Sequence, residues 1–112
     1  INYTILPHGE FALPELQNLY NQFVVNGDVS VANGLQIGAT IEDLDVVDLQ
    51  TRLNSTSNTA VISVFESLQC GSSNHLRIFV LAIEKEGNTY IPQYLKQEAF
   101  DAIIGGNIEQ CF

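Results

Sequence analysis

Two long runs of helical period, joined by a short polar link, constrain this chain more than any other feature. From about Ser30 to Leu53, apolar residues recur three or four positions apart along two stripes. One holds Val31, Leu35, Gly38, Val46, Leu49 and Leu53, and the other Ile37, Ile41, Leu44 and Val47. From Thr59 to about Glu86 a second run places Val61, Phe65, Leu68, Ser72, His75, Phe79 and Ile83 on its inward stripe. The link Asn54 to Asn58 is small and polar. A link that short sets the two helices side by side and antiparallel. A helix that is apolar on two faces must be covered on two faces, as in a bundle.

The flanks are shorter. Residues 1–12 carry Pro7 and Gly9 without a period and read as an extended lead-in, with His8 a solvated loop residue. Pro14 and Glu15 suit a helix start, and Leu16, Leu19, Tyr20 and Phe23 carry it to about Val25. Asn26-Gly27 is expected to end it in the left-handed conformation, and Asp28 or Ser30 to cap the next helix. Gly34 and Gly38 lie four apart and would admit a close helix approach. Gly87-Asn88 closes the long run, residues 89–94 with Pro92 form a turn, and Leu95 to Ile104 form a short helix stopped by Gly105-Gly106. The tail is 105–112. The expected fold is all-α, one domain over 1–112: an antiparallel helical hairpin with two shorter flanking helices.

Charge narrows the partners. The net charge is −9 with Arg52, Arg77, Lys85 and Lys96 as the only cations. Such a chain would be repelled by nucleic acid and by anionic membrane surfaces. No apolar run reaches the roughly 18–20 residues a membrane helix needs. The sequence begins at Ile1 and reads as a processed product. Cys70 and Cys111 fit no zinc spacing, and the expected pairing is a disulfide between them, the alternative being a buried Cys70 and a free Cys111. With the glycosylation sequons at Asn2 and Asn54, this points to a secreted, extracellular protein.

Candidate chemistry centres on Glu42 and His75. Both fall on inward stripes, at similar distances from the connecting link, so a carboxylate and an imidazole are expected at one level between two helices. That is half of a carboxylate-bridged di-metal site, and the donors suit iron or manganese. Asp45, one turn from Glu42, is a further candidate ligand. Ser72 stands three before His75, where such sites carry a carboxylate, and is expected beside the ligands rather than among them. One chain therefore supplies an incomplete set, and a homodimer or a separate first-half chain would have to complete it. The alternative is that Glu42 and His75 satisfy one another as buried polar groups. Asp43, Asp45 and Asp48 read as a solvated acidic face, lacking the loop pattern of a calcium site. Cys70 and His75 point apart on one helix, no catalytic residue is assigned, and Arg77 is expected to reach outward.

The same residues resemble a known family. The segments are Pro14-Glu15-Leu16-Gln17-Asn18-Leu19-Tyr20, Gly38-Ala39-Thr40-Ile41-Glu42-Asp43-Leu44-Asp45, Val64-Phe65-Glu66-Ser67-Leu68, Cys70-Gly71-Ser72-Ser73-Asn74-His75-Leu76-Arg77 and Pro92-Gln93-Tyr94-Leu95. In order and spacing over about residues 10–104 they are similar to the ferritin-like family catalogued as domain of unknown function 2202, found mainly in bacteria and archaea. The resemblance implies a four-helix ferritin-like bundle of which this chain is the C-terminal half. Glu42 and His75 match the family's inward acidic and histidine positions, while its Glu-rich and Glu-x-x-His helices have no counterpart here. Two functions are therefore expected: a ferritin-like protein with a partial metal site, or a metal-free, disulfide-stapled binding or self-associating protein.

Overall fold

The long helices begin where side chains take over the first orphaned backbone N–H groups. Ser30 Oγ accepts from Asn33 N at 3.1 Å, and Asn58 Oδ1 accepts from Ala60 N and Val61 N at 3.0 and 3.2 Å. The computed structural model describes residues 4–111. Over them run α1 (Pro14–Gly27), α2 (Val31–Asn54), α3 (Thr59–Lys85) and α4 (Gln97–Ile104), with no strand among the described residues. The chain is all-α. The sequon asparagine Asn2 lies outside the described residues, and Asn54 ends α2 exposed.

Two local expectations are corrected and one alternative is resolved. Gly27 is helical and α1 ends at an ordinary right-handed Asp28, because only Gly9 and Gly87 have positive φ. Ser30, not Asp28, caps α2. The last helix starts at Gln97, two residues beyond Leu95. Gly87, at φ 81°, does turn the chain out of α3 as the sequence suggests.

α2 and α3 pack antiparallel. Gly38 meets Phe79, Glu42 meets His75, and Gln69 Nε2 donates to the Val46 carbonyl at 3.1 Å. Gly38 is required by this packing, since a Cβ there would lie 2.5 Å from the Phe79 ring. Gly34 faces nothing so close. The core is small: Ala39, Leu76, Val80, Ile83, Tyr90 and Phe100, with Tyr90 and Phe100 rings 5.8 Å apart. α1 lies on α2, and the lead-in is tied to α1 by Gln17, which bonds both Phe11 N and the Gly9 carbonyl.

The inward face of α3 differs from the expected stripe. Ser72, Ser73, Leu76, Val80 and Ile83 are buried, whereas Val64, Leu68 and Ile78 are more than half exposed and His75 is exposed with them. A lone hairpin buries one face of each helix, so the second apolar face stays in water. The molecule is correspondingly open. Its accessible surface is 7916 Å², against about 6,100 Å² for a compact monomer of this mass. Its radius of gyration is 15.4 Å, against about 13 Å for a compact domain of this length.

Candidate functional site

Two adjacent carboxylates on α2 are aimed at different surroundings. Glu42 turns toward the open side of the hairpin. Its Oε1 lies 3.4 Å from His75 Nδ1 on α3. The Glu42 side chain is 15% exposed and the His75 side chain 61% exposed, so the carboxylate is largely enclosed while the imidazole faces out. Glu42 Oε2 is buried and has no hydrogen-bond partner. Burial pushes the Glu42 carboxyl above its ordinary range; nearby His75 and Ser72 pull it back in part, and Asp45 adds to the rise. Ser72 is buried beside the carboxylate, yet no hydrogen bond reaches Oε2.

Asp45 sits one turn along the same side. Its carboxyl is also raised, first by burial and then by the charge of Asp48. Glu42, Asp45, Ser72 and His75 share the wall of an open cavity of about 690 Å³, which the tail residues Glu109 and Cys111 also line. The donors do not close into a metal cage: among the described residues, no group of three or more His, Cys, Asp or Glu side chains is placed to hold an ion. One carboxylate with a spare oxygen and one imidazole fit two positions of an iron or manganese site. Among the described residues, no third such side chain is placed to complete the set.

Asp43 overturns the expected solvated acidic face. It is 0% exposed. Its carboxylate accepts from Tyr90 Oη at 2.6 Å, Gln93 N at 2.6 Å, Leu95 N at 2.7 Å and Tyr94 N at 3.3 Å. Burial and this bond raise the Tyr90 hydroxyl above its usual range, keeping it protonated as the donor. Asp43 thus fastens the 90–95 turn, and α4 behind it, to α2. A signal was present: Ala39, Asp43 and Val46 are spaced as one buried helix face.

Cys70 and Cys111 are joined by a disulfide, with Cα atoms 5.6 Å apart. Arg77 departs from its expected outward placement. Its side chain is 12% exposed, donating to the Ile103 carbonyl at the end of α4 at 2.8 Å and to Asn74 Oδ1 at 2.8 Å. A cation at a helix C-terminus is favoured by the partial negative charge of the unpaired carbonyls.

The family model for the uncharacterized protein domain DUF2202 matches residues 5–107. The chain belongs to the DUF2202 family. It is 41% identical over 102 residues to the uncharacterized protein MJ0754 of Methanocaldococcus jannaschii, a match spanning 91% of this chain and 55% of that protein. The crystal structure of the hypothetical protein MJ0754 from Methanococcus jannaschii superposes with a TM-score of 0.88 at 42% identity, covering 90% of this DUF2202 chain and 58% of the other. The chain therefore spans little more than half the length of the relative it matches.

Proposed function

We propose that this DUF2202 chain is half of a ferritin-like helical bundle, and that Glu42 and His75 are its contribution to an iron or manganese site completed by a second copy or by a separate first-half chain. The carrying observation is the Glu42 carboxylate, with Oε1 against His75 and Oε2 buried without a partner. An orphaned buried carboxylate oxygen is costly, and coordination by a cation removes that cost. His75 stands on the same helix face as the exposed Val64, Leu68 and Ile78, so helices laid on that face would cover apolar surface and close over the pair together. A relative with much of its chain outside the match carries enough length for such helices. Asp45 is a further ligand candidate, and Ser72 supports the Glu42 carboxylate. The disulfide and the accessible Asn54 sequon favour an exported, extracellular protein.

The test is metal content. Protein incubated with Fe²⁺ or Mn²⁺ and then desalted should retain about one ion per two chains or more, with loss in both Glu42→Gln and His75→Ala. Retention below about 0.1 ion per chain, unchanged by either substitution, would overturn the reading. A second reading is a metal-free, disulfide-stapled protein that associates through its open apolar face. The missing third ligand favours it, and it predicts association without metal.

A further inference from the structure

The tail is attached to the body in an unusual way. Past Gly106, among the described residues, no backbone-to-backbone hydrogen bond holds it. Its bonds are to side chains of α3. Asn74 Nδ2 donates to the Glu109 carbonyl at 2.8 Å, and Glu109 N donates to Asn74 Oδ1 at 2.9 Å, so one amide side chain imitates a strand partner. Arg77 Nη2 lies 3.4 Å from Glu109 Oε2, a pair weakened by the 60% exposure of Glu109. The covalent tie is Cys70–Cys111, and Asn74 Nδ2 also lies 3.4 Å from Cys111 Sγ. This segment is a wall of the cavity that holds Glu42 and His75: Glu109, Gln110 and Cys111 line it together with Ser67 and Leu68.

We propose that residues 109–111 form a redox-released strap along one wall of the Glu42–His75 cavity, closed by the Cys70–Cys111 disulfide and opened by a dithiol reductant. This inference rests on the site reading above and adds its regulation. Cys111 lines the cavity, so an attacking thiolate has a route to the bond. The thiolate of the dithiol attacks one sulfur, forming a mixed disulfide and releasing the other cysteine. The second thiol then displaces the remaining cysteine. Two electrons and two protons pass to Cys70 and Cys111, and the reductant leaves as its own disulfide. Once the bond is gone, the Asn74 pair and an exposed ion pair are the tail's principal ties. Stretches held by a few exposed hydrogen bonds open without unfolding the helices behind them. Arg77 keeps its bond to Ile103, so α4 stays in place when the strap leaves.

Hydrogen exchange read by mass spectrometry tests the strap on the full chain, with and without dithiothreitol and in a Cys70→Ser/Cys111→Ser variant. Exchange at Glu109 should accelerate by about tenfold or more in both opened forms, while peptides from α2 and α3 stay within about twofold. Unchanged exchange at Glu109, or acceleration spreading through α2 and α3, would overturn the proposal. The link to the cavity is read by carbodiimide labelling of Glu42, whose side chain is 15% exposed with the tail in place. Glu42 should be labelled at least about threefold faster when the strap is open, with exposed Glu84 as the internal reference. Equal Glu42 rates in both states would end the proposal as regulation of that site. Neither readout involves a metal, so a failure of metal binding is seen separately.

Discussion

Glu42 and Asp43 are neighbours on one helix, and their surroundings differ in almost every respect. Asp43 is fully enclosed and meets a hydroxyl and three backbone N–H groups, all from the chain segment that leads into α4. Glu42 is nearly enclosed, meets one exposed imidazole, and keeps an oxygen with no partner. A buried carboxylate whose partners are complete is part of the scaffold. One whose partners are incomplete is either a cost of the fold or a position awaiting something from outside. The two sides of α2 thus divide the molecule: a finished side, where the 90–95 turn and α4 close the core, and an open side, where an apolar helix face and a half-partnered carboxylate share one surface.

The largest expected effect falls on the finished side. Asp43→Ala leaves a buried hydroxyl and several backbone donors without an acceptor and should cost on the order of 4 kcal/mol in urea unfolding. A loss below about 1 kcal/mol would mean that the turn is held by other means and that Asp43 does not anchor it. Next is Gly38→Ala, between the two sides. Its new Cβ would collide with the Phe79 ring, and the hairpin must spread, with an expected loss of about 1–3 kcal/mol. Gly34→Ala, facing no such ring, should be neutral or slightly stabilising, and equal effects at both glycines would remove the close-approach argument.

The smallest effect has the opposite sign and separates the carboxylates most sharply. Burial raises the folded-state pKa of Glu42 above its ordinary value of 4.5. The folded chain then holds this proton more tightly than the unfolded chain does. That stabilisation is complete below the ordinary value and is lost as pH rises through the raised one. Glu42→Gln carries no such loss. Relative to the parent, the variant should therefore gain stability as pH is raised from about 4 toward 7, measured by urea midpoints at each pH. A stability difference that stays flat, or runs the other way, would show that Glu42 is satisfied in the isolated chain.

Much of this architecture was legible in the sequence, and the unreadable parts have physical causes. The two long helices, their antiparallel order and the Gly87 stop follow from periodicity, link length and backbone chemistry. The pairing of Glu42 with His75 follows from counting residues outward from the link. The choice of buried face on α3 did not follow, because Leu68 and Leu76 are equally apolar and the sequence does not say which face finds a partner. The role of Asp43 is not legible because an aspartate is ordinarily exposed, and its donors lie on a turn some fifty residues away that carries no local mark. The placement of Arg77 is hidden for the same reason: its acceptor is the Ile103 carbonyl, a backbone group that side-chain patterns do not reveal.

We propose above all that Glu42 and His75 together bind a metal. The chain has two histidines, which makes a direct measurement simple. Ring-proton NMR signals of His75 and His8 can be followed while Mn²⁺ is added well below stoichiometry. The account predicts selective broadening of His75, with His8 unaffected, and loss of that selectivity in Glu42→Gln. Equal broadening of both histidines, or selective broadening of His75 that survives Glu42→Gln, would contradict it.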